Sequence, residues 1–268
     1  MNTAIVVVAA LTFVIHFIGT LSLSIRIVGL KTQMWSMSYA MFNIISILSR
    51  TANTLQAPLL AKYIETQIQQ NKIADVTDFY LIIFVASLGT IAGGLFMPTF
   101  QKILTIAVTK YYQLNSFSKI IFSVFTPKAW RHIKQSLTWP PFQQLELLKN
   151  REGISVKVLV MNIVVSAIMT ISVLACLYAG CLNPELRATA SSMNGVINGA
   201  SIVLGLLFVD PFIALFSDEV NLGKRPKIDF QRYVLFLIVA RLAGTLLAQF
   251  LLFPFAQLVL LLIEAKFF

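Results

Sequence analysis

Long apolar runs, separated by shorter polar segments, form the main pattern along this chain. Six of them reach the ~20 residues that a helix needs to cross ~30 Å of hydrocarbon. The six runs cover residues 4–25, 35–60, 79–100, 156–180, 188–216 and 233–263. A transmembrane barrel would instead show alternation within segments of ~10 residues. The pattern therefore predicts an all-α, polytopic integral membrane bundle with six transmembrane helices in a single domain, residues 1–268.

Composition favours the same class. Of the 268 residues, 57% are hydrophobic and 12% are charged, and the mean hydropathy is +0.81. Soluble domains average about 25% charged residues. The first apolar run begins directly after Met1, Asn2 and Thr3, without the basic segment that precedes the core of a signal peptide. We therefore expect this run to be retained as the first span.

One sizeable polar region, residues 101–155, separates the third and fourth runs. Basic residues alternate there with aromatic and aliphatic ones. Its first part, Ile103–Phe125, is apolar enough to form a membrane-surface helix, a re-entrant helix or a seventh span. The interior lysines Lys110 and Lys119 disfavour a seventh span, and the choice among the three stays open.

The distribution of charge predicts an orientation. The chain has 21 Lys and Arg residues against 11 Asp and Glu, a net charge of +10. With six spans, most basic residues share a side with residues 101–155, and the positive-inside rule assigns that side to the cytoplasm. Both termini then lie outside, and the basic face meets anionic lipid headgroups. Nucleic-acid binding would need a basic soluble module, which is lacking. A homodimer is one possible oligomeric state.

Arg50, near the middle of the second run, is the most informative polar residue. A guanidinium keeps its charge, and placing one at mid-depth of a bilayer costs about 3 kcal/mol or more unless it meets a partner, water or an anionic ligand. The structural alternative is an ion pair with Asp210 or Glu264. Its neighbours on one helical stripe, at i, i+3, i+7 and i+10, make up the series Asn43, Ser46, Arg50 and Asn53, with Gln56 nearby.

Three further spans carry polar residues at helical spacing. Those we single out are His16 in the first span, Asn194 and Asn198 in the fifth, and Arg241 in the sixth. Such residues also pack helices together, so packing and ligand binding both remain open for the two asparagines and for His16. Arg241 either binds a ligand or snorkels toward the inner interface. Arg26 lies at a span boundary, where it serves topology and is available to a ligand.

Several function classes lack the residues they need. The chain has no glycine-rich phosphate loop and no dinucleotide-binding fingerprint. Its two histidines, His16 and His132, fall in different compartments under the predicted topology, so we expect no metal site. No acid–base or nucleophile set can be assembled at one depth. The sequence thus favours a protein that is not an enzyme and needs no cofactor.

Part of the N-terminal sequence resembles the Amj family. The resemblance is carried by Ser49–Lys62 (SRTANTLQAPLLAK), preceded by His16–Thr20 (HFIGT) and Ser24–Gly29 (SIRIVG). Members of this family are bacterial lipid II flippases that substitute for the unrelated flippase MurJ. The resemblance implies a multi-pass protein of the bacterial cytoplasmic membrane. It also implies lipid II, a polyprenyl pyrophosphate bearing a disaccharide and a peptide, as the transported partner.

The resemblance and the polar residues suggest the same ligand chemistry. An arginine fork donates two parallel hydrogen bonds to phosphate oxygens, whereas amides and hydroxyls suit sugars. We therefore predict a cavity walled by spans one, two, five and six and open sideways to the bilayer, in which Arg50 binds the pyrophosphate and Arg241 is its inner-side partner. The candidate substrate-binding residues are Arg50, Asn53, Arg241, His16, Gln56, Asn43, Asn194, Asn198 and Arg26.

Two other classes of function remain alternatives. A secondary transporter or channel for a small anionic solute or ion would use the same polar stripes around a narrower pathway. A membrane assembly protein or a lipid-modifying enzyme ranks third, because no catalytic set is evident.

Overall fold

Every regular element is helical in the part of the chain that the computed structural model describes, which is residues 2–70, 75–114, 126, 131, 134–140 and 146–265. The helices are α1 (Thr3–Leu21), α2 (Ile25–Thr32), α3 (Trp35–Gln69), α4 (Val76–Leu114), α5 (Val156–Leu182), α6 (Arg187–Leu204), α7 (Asp210–Asn221) and α8 (Lys227–Glu264). Short 3-10 turns lie at Ser22–Ser24, Leu147–Lys149 and Pro184–Leu186, and a π-helical segment, Gly205–Val209, joins α6 to α7. The all-α prediction is confirmed.

Local sequence explains where several helices begin and end. The side chain of Asn2 caps α1 by accepting a hydrogen bond from the Ala4 amide at 3.0 Å. Gln33 has a φ of 57°, a left-handed conformation that ends α2 and reverses the chain into α3. Pro226, which has no amide hydrogen to lose, precedes the first turn of α8.

Five helical segments within the described residues are long and apolar enough to cross a membrane. They are Thr3–Thr32, Val76–Lys110, Val156–Leu182, Pro184–Asn221 and Lys227–Glu264. These segments confirm a polytopic helical membrane protein. The 35 residues of α3 span ~52 Å, but this helix is more polar than the other five. The sixth crossing therefore stays a prediction.

Two apolar clusters lie at opposite ends of the long helices. The first, here called the terminal cluster, includes Ile5 of α1, Leu60 of α3 and Leu252 of α8. The second, the basic-end cluster, includes Val28 of α2 and Tyr233 of α8. Because the start of α1 and the end of α8 both join the terminal cluster, the two ends of the described chain lie at the same end of the bundle.

The third long helix continues past residue 100 to Leu114. The first part of Ile103–Phe125 is thus an extension of α4, while residues 115–125 and His132 lie outside the described residues. Residues 134–140 are tied back onto this helix at Thr138. Its amide donates to Thr99 Oγ1 at 2.9 Å, and Lys102 Nζ donates to its Oγ1 at 2.7 Å. The choice among a surface, re-entrant or spanning segment stays a prediction.

Glycines set the closest approaches between helices. A Cβ atom added at Gly89 of α4 would lie 2.6 Å from the carbonyl oxygen of Phe13 in α1. One added at Gly244 of α8 would lie 2.6 Å from the carbonyl oxygen of Ile163 in α5. Small residues let membrane helices approach in this way. The two contacts lock α1 to α4 and α5 to α8.

Candidate functional site

A layer of polar side chains, buried except for the half-buried Arg241, lies between the two apolar clusters. We call it the polar layer; it consists of Thr12, His16, Gln56, Ser87, Arg241 and Thr245. Gln56 Nε2 of α3 donates to Thr12 Oγ1 of α1 at 3.0 Å. Ser87 Oγ of α4 donates to Thr245 Oγ1 of α8 at 3.1 Å. The first bond joins α3 to α1, and the second joins α4 to α8. The structure thus places the predicted ligand residue Gln56 in a packed, hydrogen-bonded position.

His16 of α1 and Arg241 of α8 come together in the polar layer beside Gly19. The Arg241 guanidinium lies so close to Gly19 that any side chain at that position would overlap it. His16 is only 6% exposed, and neither its Nδ1 nor Arg241 Nε has a hydrogen-bond partner. No carboxylate within the described ranges pairs with Arg241. The layer therefore holds a positive charge without a counter-ion from the residues described.

Arg50 lies on an exposed face of α3, outside the polar layer. We call this the α3 polar face; its members are Asn43, Ser46, Arg50 and Asn53. Asn43 is exposed and Asn53 is half-buried, while Ser46 is 7% exposed and its Oγ has no partner. In the described part of the chain no ion pair reaches the Arg50 guanidinium. Its fork is free to meet a ligand.

The polar stripe of α6 lies apart from the polar layer. Asn194 and Asn198 are half-buried, and Asn194 Oδ1 has no partner. Their neighbours Gly195 and Gly199 would have no atom within 4 Å of an added Cβ, so the adjacent face of α6 borders open space. The helix packs mainly on α5. The structure thus joins α1, α8 and the Gln56 turn of α3 in one layer and places the α6 asparagines outside it.

Arg26, in the first turn of α2, faces Asp210, the first residue of α7. Their Nη2 and Oδ1 atoms are 3.8 Å apart, and the two side chains are 31% and 52% exposed. Asp210 is one of the two acids that the sequence analysis considered as an ion-pair partner for Arg50. The other, Glu264, is exposed at the end of α8 and makes no ion pair among the residues described. Of the two candidate acids, Asp210 is therefore paired with Arg26.

The sequence did not predict a role for Ser87 in the polar layer, or for Trp35 and Ser217 beside Arg26. Ser217 follows the predicted end of the fifth run, and Trp35 begins the second. The turn between α2 and α3 brings Trp35 near Arg26, and the packing of α7 against α2 brings Ser217 there. No group of three His, Cys, Asp or Glu side chains that could hold a metal ion occurs among the described residues.

The five long apolar helical segments define a polytopic helical membrane protein. The family model Amj, described as "Alternate to MurJ", matches residues 11–263. The chain therefore belongs to the Amj family, and it is a multi-pass protein of the bacterial cytoplasmic membrane.

A relative from Bacillus subtilis (strain 168) is named "Lipid II flippase Amj". It is 30% identical over 257 residues, which cover 94% of this chain and 94% of the relative. No solved structure matches the chain.

Proposed function

We propose that this protein is a lipid II flippase, which moves the polyprenyl-pyrophosphate-linked peptidoglycan precursor from the inner to the outer leaflet of the cytoplasmic membrane. The observation that carries the proposal is the 30% identity, over 94% of both chains, to a protein named as a lipid II flippase. Translocation leaves every covalent bond of the lipid intact, so the protein has to bind, shield and release a charged headgroup.

We further propose that the basic end of the bundle faces the cytoplasm. Lys31, Lys102, Arg225 and Arg232 all lie at the end of the bundle that holds the basic-end cluster. The positive-inside rule places such an end in the cytoplasm, against anionic lipid headgroups. The two termini would then lie outside.

In this proposal Arg50 binds the pyrophosphate. Its guanidinium is exposed on the α3 polar face and has no acidic partner among the residues described. A phosphate can therefore accept its two parallel hydrogen bonds without first displacing a carboxylate. Asn43 and Asn53 flank Arg50 on the same face, where their amides can bond to the sugars.

Arg241 provides the second phosphate contact in this proposal. Its side chain is half-buried with Nε fully covered, and its guanidinium fills the space beside Gly19 of α1. In this proposal the whole guanidinium becomes accessible to phosphate when these helices separate, at which point His16 would also be uncovered. Arg50 would then act in the open state and Arg241 in a state that follows a helix movement.

The membrane potential can drive the movement without ATP. Each negative charge that moves outward across an inside-negative membrane gains ~2.3 kcal/mol per 100 mV. A pyrophosphate with about two charges gains about twice that amount. Consumption of lipid II on the outer surface would add a concentration gradient.

Reconstitution into vesicles tests the proposal. Purified protein is inserted into vesicles that hold labelled lipid II in one leaflet, and its appearance in the other leaflet is followed over time. We expect wild type to translocate the lipid and Arg50→Ala to reduce the rate by at least tenfold. Arg50→Lys should be intermediate because the charge remains but the fork is lost.

A matched control is Arg187→Ala, which removes an exposed arginine from the start of α6. It should leave the rate unchanged. Wild-type protein that carries a small anion but leaves lipid II in place would reject the flippase in favour of a small-anion transporter. Full activity of Arg50→Ala at equal insertion would reject the role of Arg50 alone.

A further inference from the structure

Two cavities meet at Arg26, at the basic end of the bundle. The larger, of about 350 Å³, lies between α2, the start of α3 and α7. The smaller, of about 230 Å³, lies beside it and extends toward α8. Ile25, Arg26 and Tyr39 border both cavities. The guanidinium thus stands at the junction of two spaces large enough for a ligand headgroup.

Two residues that border the larger cavity carry buried hydrogen-bond donors without acceptors. Ser217 is 2% exposed and its buried Oγ has no partner, while Trp35 is half-buried and its buried Nε1 has no partner either. An indole N–H can only donate, so Trp35 needs an acceptor from a ligand or solvent. The Arg26 guanidinium makes no hydrogen bond within the described residues, because Asp210 Oδ1 at 3.8 Å is too far for one.

The cavity therefore suits an oxygen-rich anion. A phosphate in the cavity can accept strong bidentate hydrogen bonds from the Arg26 guanidinium. The covered donors of Trp35 and Ser217 would add to these bonds once their side chains turn toward the cavity. Asp210 and Asp218 border the two cavities and oppose an anion. Since the Arg26–Asp210 pair is long and half-exposed, it contributes little and can be exchanged for phosphate.

The cavity also leads toward Arg50. Tyr39, which borders both cavities, stands at the start of a series at i, i+4, i+7 and i+11 along α3 that continues through Asn43 and Ser46 to Arg50. These residues share one helix face, and the distance from Tyr39 to Arg50 along the helix axis is ~16 Å. A headgroup that leaves the cavity along this face meets the α3 polar face next.

We propose that the Arg26 cavity is an entry site for the diphosphate of a polyprenyl lipid, where Arg26 exchanges Asp210 for phosphate oxygens before the lipid moves to Arg50. The inference rests on the proposed function and adds to it a first binding site on the cytoplasmic side. Asp210 directly follows the π-helical segment Gly205–Val209, and such segments are frequent at functional sites. When phosphate replaces it, the Asp210 carboxylate would lie next to this irregular segment of the helix.

Trp35 provides a direct reporter of this site. The chain has three tryptophans, so Trp130→Phe combined with Trp139→Phe leaves Trp35 as the only one. This protein is placed in nanodiscs of zwitterionic lipid and titrated with lipid II, with polyprenyl pyrophosphate, with phosphatidylglycerol and with inorganic pyrophosphate. We expect the two polyprenyl pyrophosphates to change the Trp35 emission with saturation.

Variants assign the response to the predicted contacts. Arg26→Gln should raise the half-saturating concentration at least tenfold, and Ser217→Ala should raise it about threefold. Asp210→Asn should lower it, because the competing carboxylate is removed. Lys224→Gln, which removes an exposed charge from the loop after α7, is the matched control and should change nothing. If Arg26→Gln does not fold, Arg26→Lys should show a smaller loss in the same direction.

The outcomes separate this inference from the proposed function. An unchanged Trp35 emission with every lipid, or a response that Arg26→Gln leaves intact, would overturn the entry site. An equal response to phosphatidylglycerol would show a general phospholipid site and would also overturn it. A response in Arg50→Ala like that of wild type, with translocation lost, would support an entry site that acts before Arg50. A saturable response in a protein that does not move lipid II would keep the site and reject the flippase.

Discussion

The polar layer and the α3 polar face contain the same kinds of side chain in different surroundings. In the polar layer, Gln56 is bonded to Thr12, and Arg241 is closed in by Gly19. On the α3 polar face, Arg50 is exposed and Ser46 Oγ has no partner. The difference shows that polar stripes in membrane helices have two uses. One stripe links the helices together, while the other remains available for a ligand.

The largest effect on stability is expected at the glycines that lie in helix contacts. Gly89→Leu should lower the free energy of unfolding by about 3 kcal/mol, because its Cβ would meet the backbone of α1 at 2.6 Å. Thermal unfolding of the purified protein measures this. Gly195→Leu is the control, since a Cβ at that position has open space around it. Equal losses of stability in the two variants would contradict the description of Gly89 as tightly packed and Gly195 as open.

The second prediction concerns Arg241, where a substitution should stabilise the protein rather than destabilise it. A charge held in a membrane without a counter-ion is unfavourable, so Arg241→Met should raise the free energy of unfolding by about 1–3 kcal/mol. If Arg241 binds phosphate as proposed, the same variant should translocate lipid II more slowly. Unfolding and translocation are measured on one preparation. A variant that is less stable would show that Arg241 has a structural role.

The bond between Gln56 and Thr12 should have a smaller effect on stability. Hydrogen bonds between membrane helices contribute about 0.6 kcal/mol on average. We expect Gln56→Leu and Thr12→Val to show a coupling of this order in a double-mutant cycle of unfolding free energies. Additive effects of the two changes would mean that the bond makes no net contribution, and Gln56 would again be a candidate for ligand contact.

The smallest effect is expected on α6. Asn198→Ala should change the free energy of unfolding by less than about 0.5 kcal/mol, since the side chain is half-buried and the neighbouring Gly199 borders open space. Its effect on translocation decides whether the α6 stripe contributes to the pathway. A loss of stability as large as that of Gln56→Leu would place Asn198 in a packed region.

Hydrophobic periodicity predicts most of the fold and less of the site. Apolar runs long enough to span a bilayer predict the helices directly, and the family resemblance rests on the residues around Arg50. Periodicity does not reveal which face of a helix is covered. Gln56 and Arg50 are on the same helix, yet one is buried against α1 and the other is exposed.

Contacts between residues far apart in the sequence could not be predicted for a similar reason. Asp210 is 184 positions from Arg26 along the chain, and nothing local indicates their approach. Ser217 lies near Arg26 because α7, which ends at Asn221, continues the fifth helix beyond its predicted end at residue 216. Residues that meet through the packing of separate helices need the three-dimensional structure.

The affinity of the protein for lipid II, measured in nanodiscs with wild type and with Arg50→Gln, tests most directly whether the exposed guanidinium serves the substrate. Hydrogen bonds to a charged group contribute about 1.5–3 kcal/mol, so the Kd should rise by about tenfold to a hundredfold. The unfolding temperature should stay the same, because Arg50 has no partner among the residues described. An unchanged Kd, or a Kd that rises only as the fold is lost, would contradict the assignment of Arg50 to the pyrophosphate.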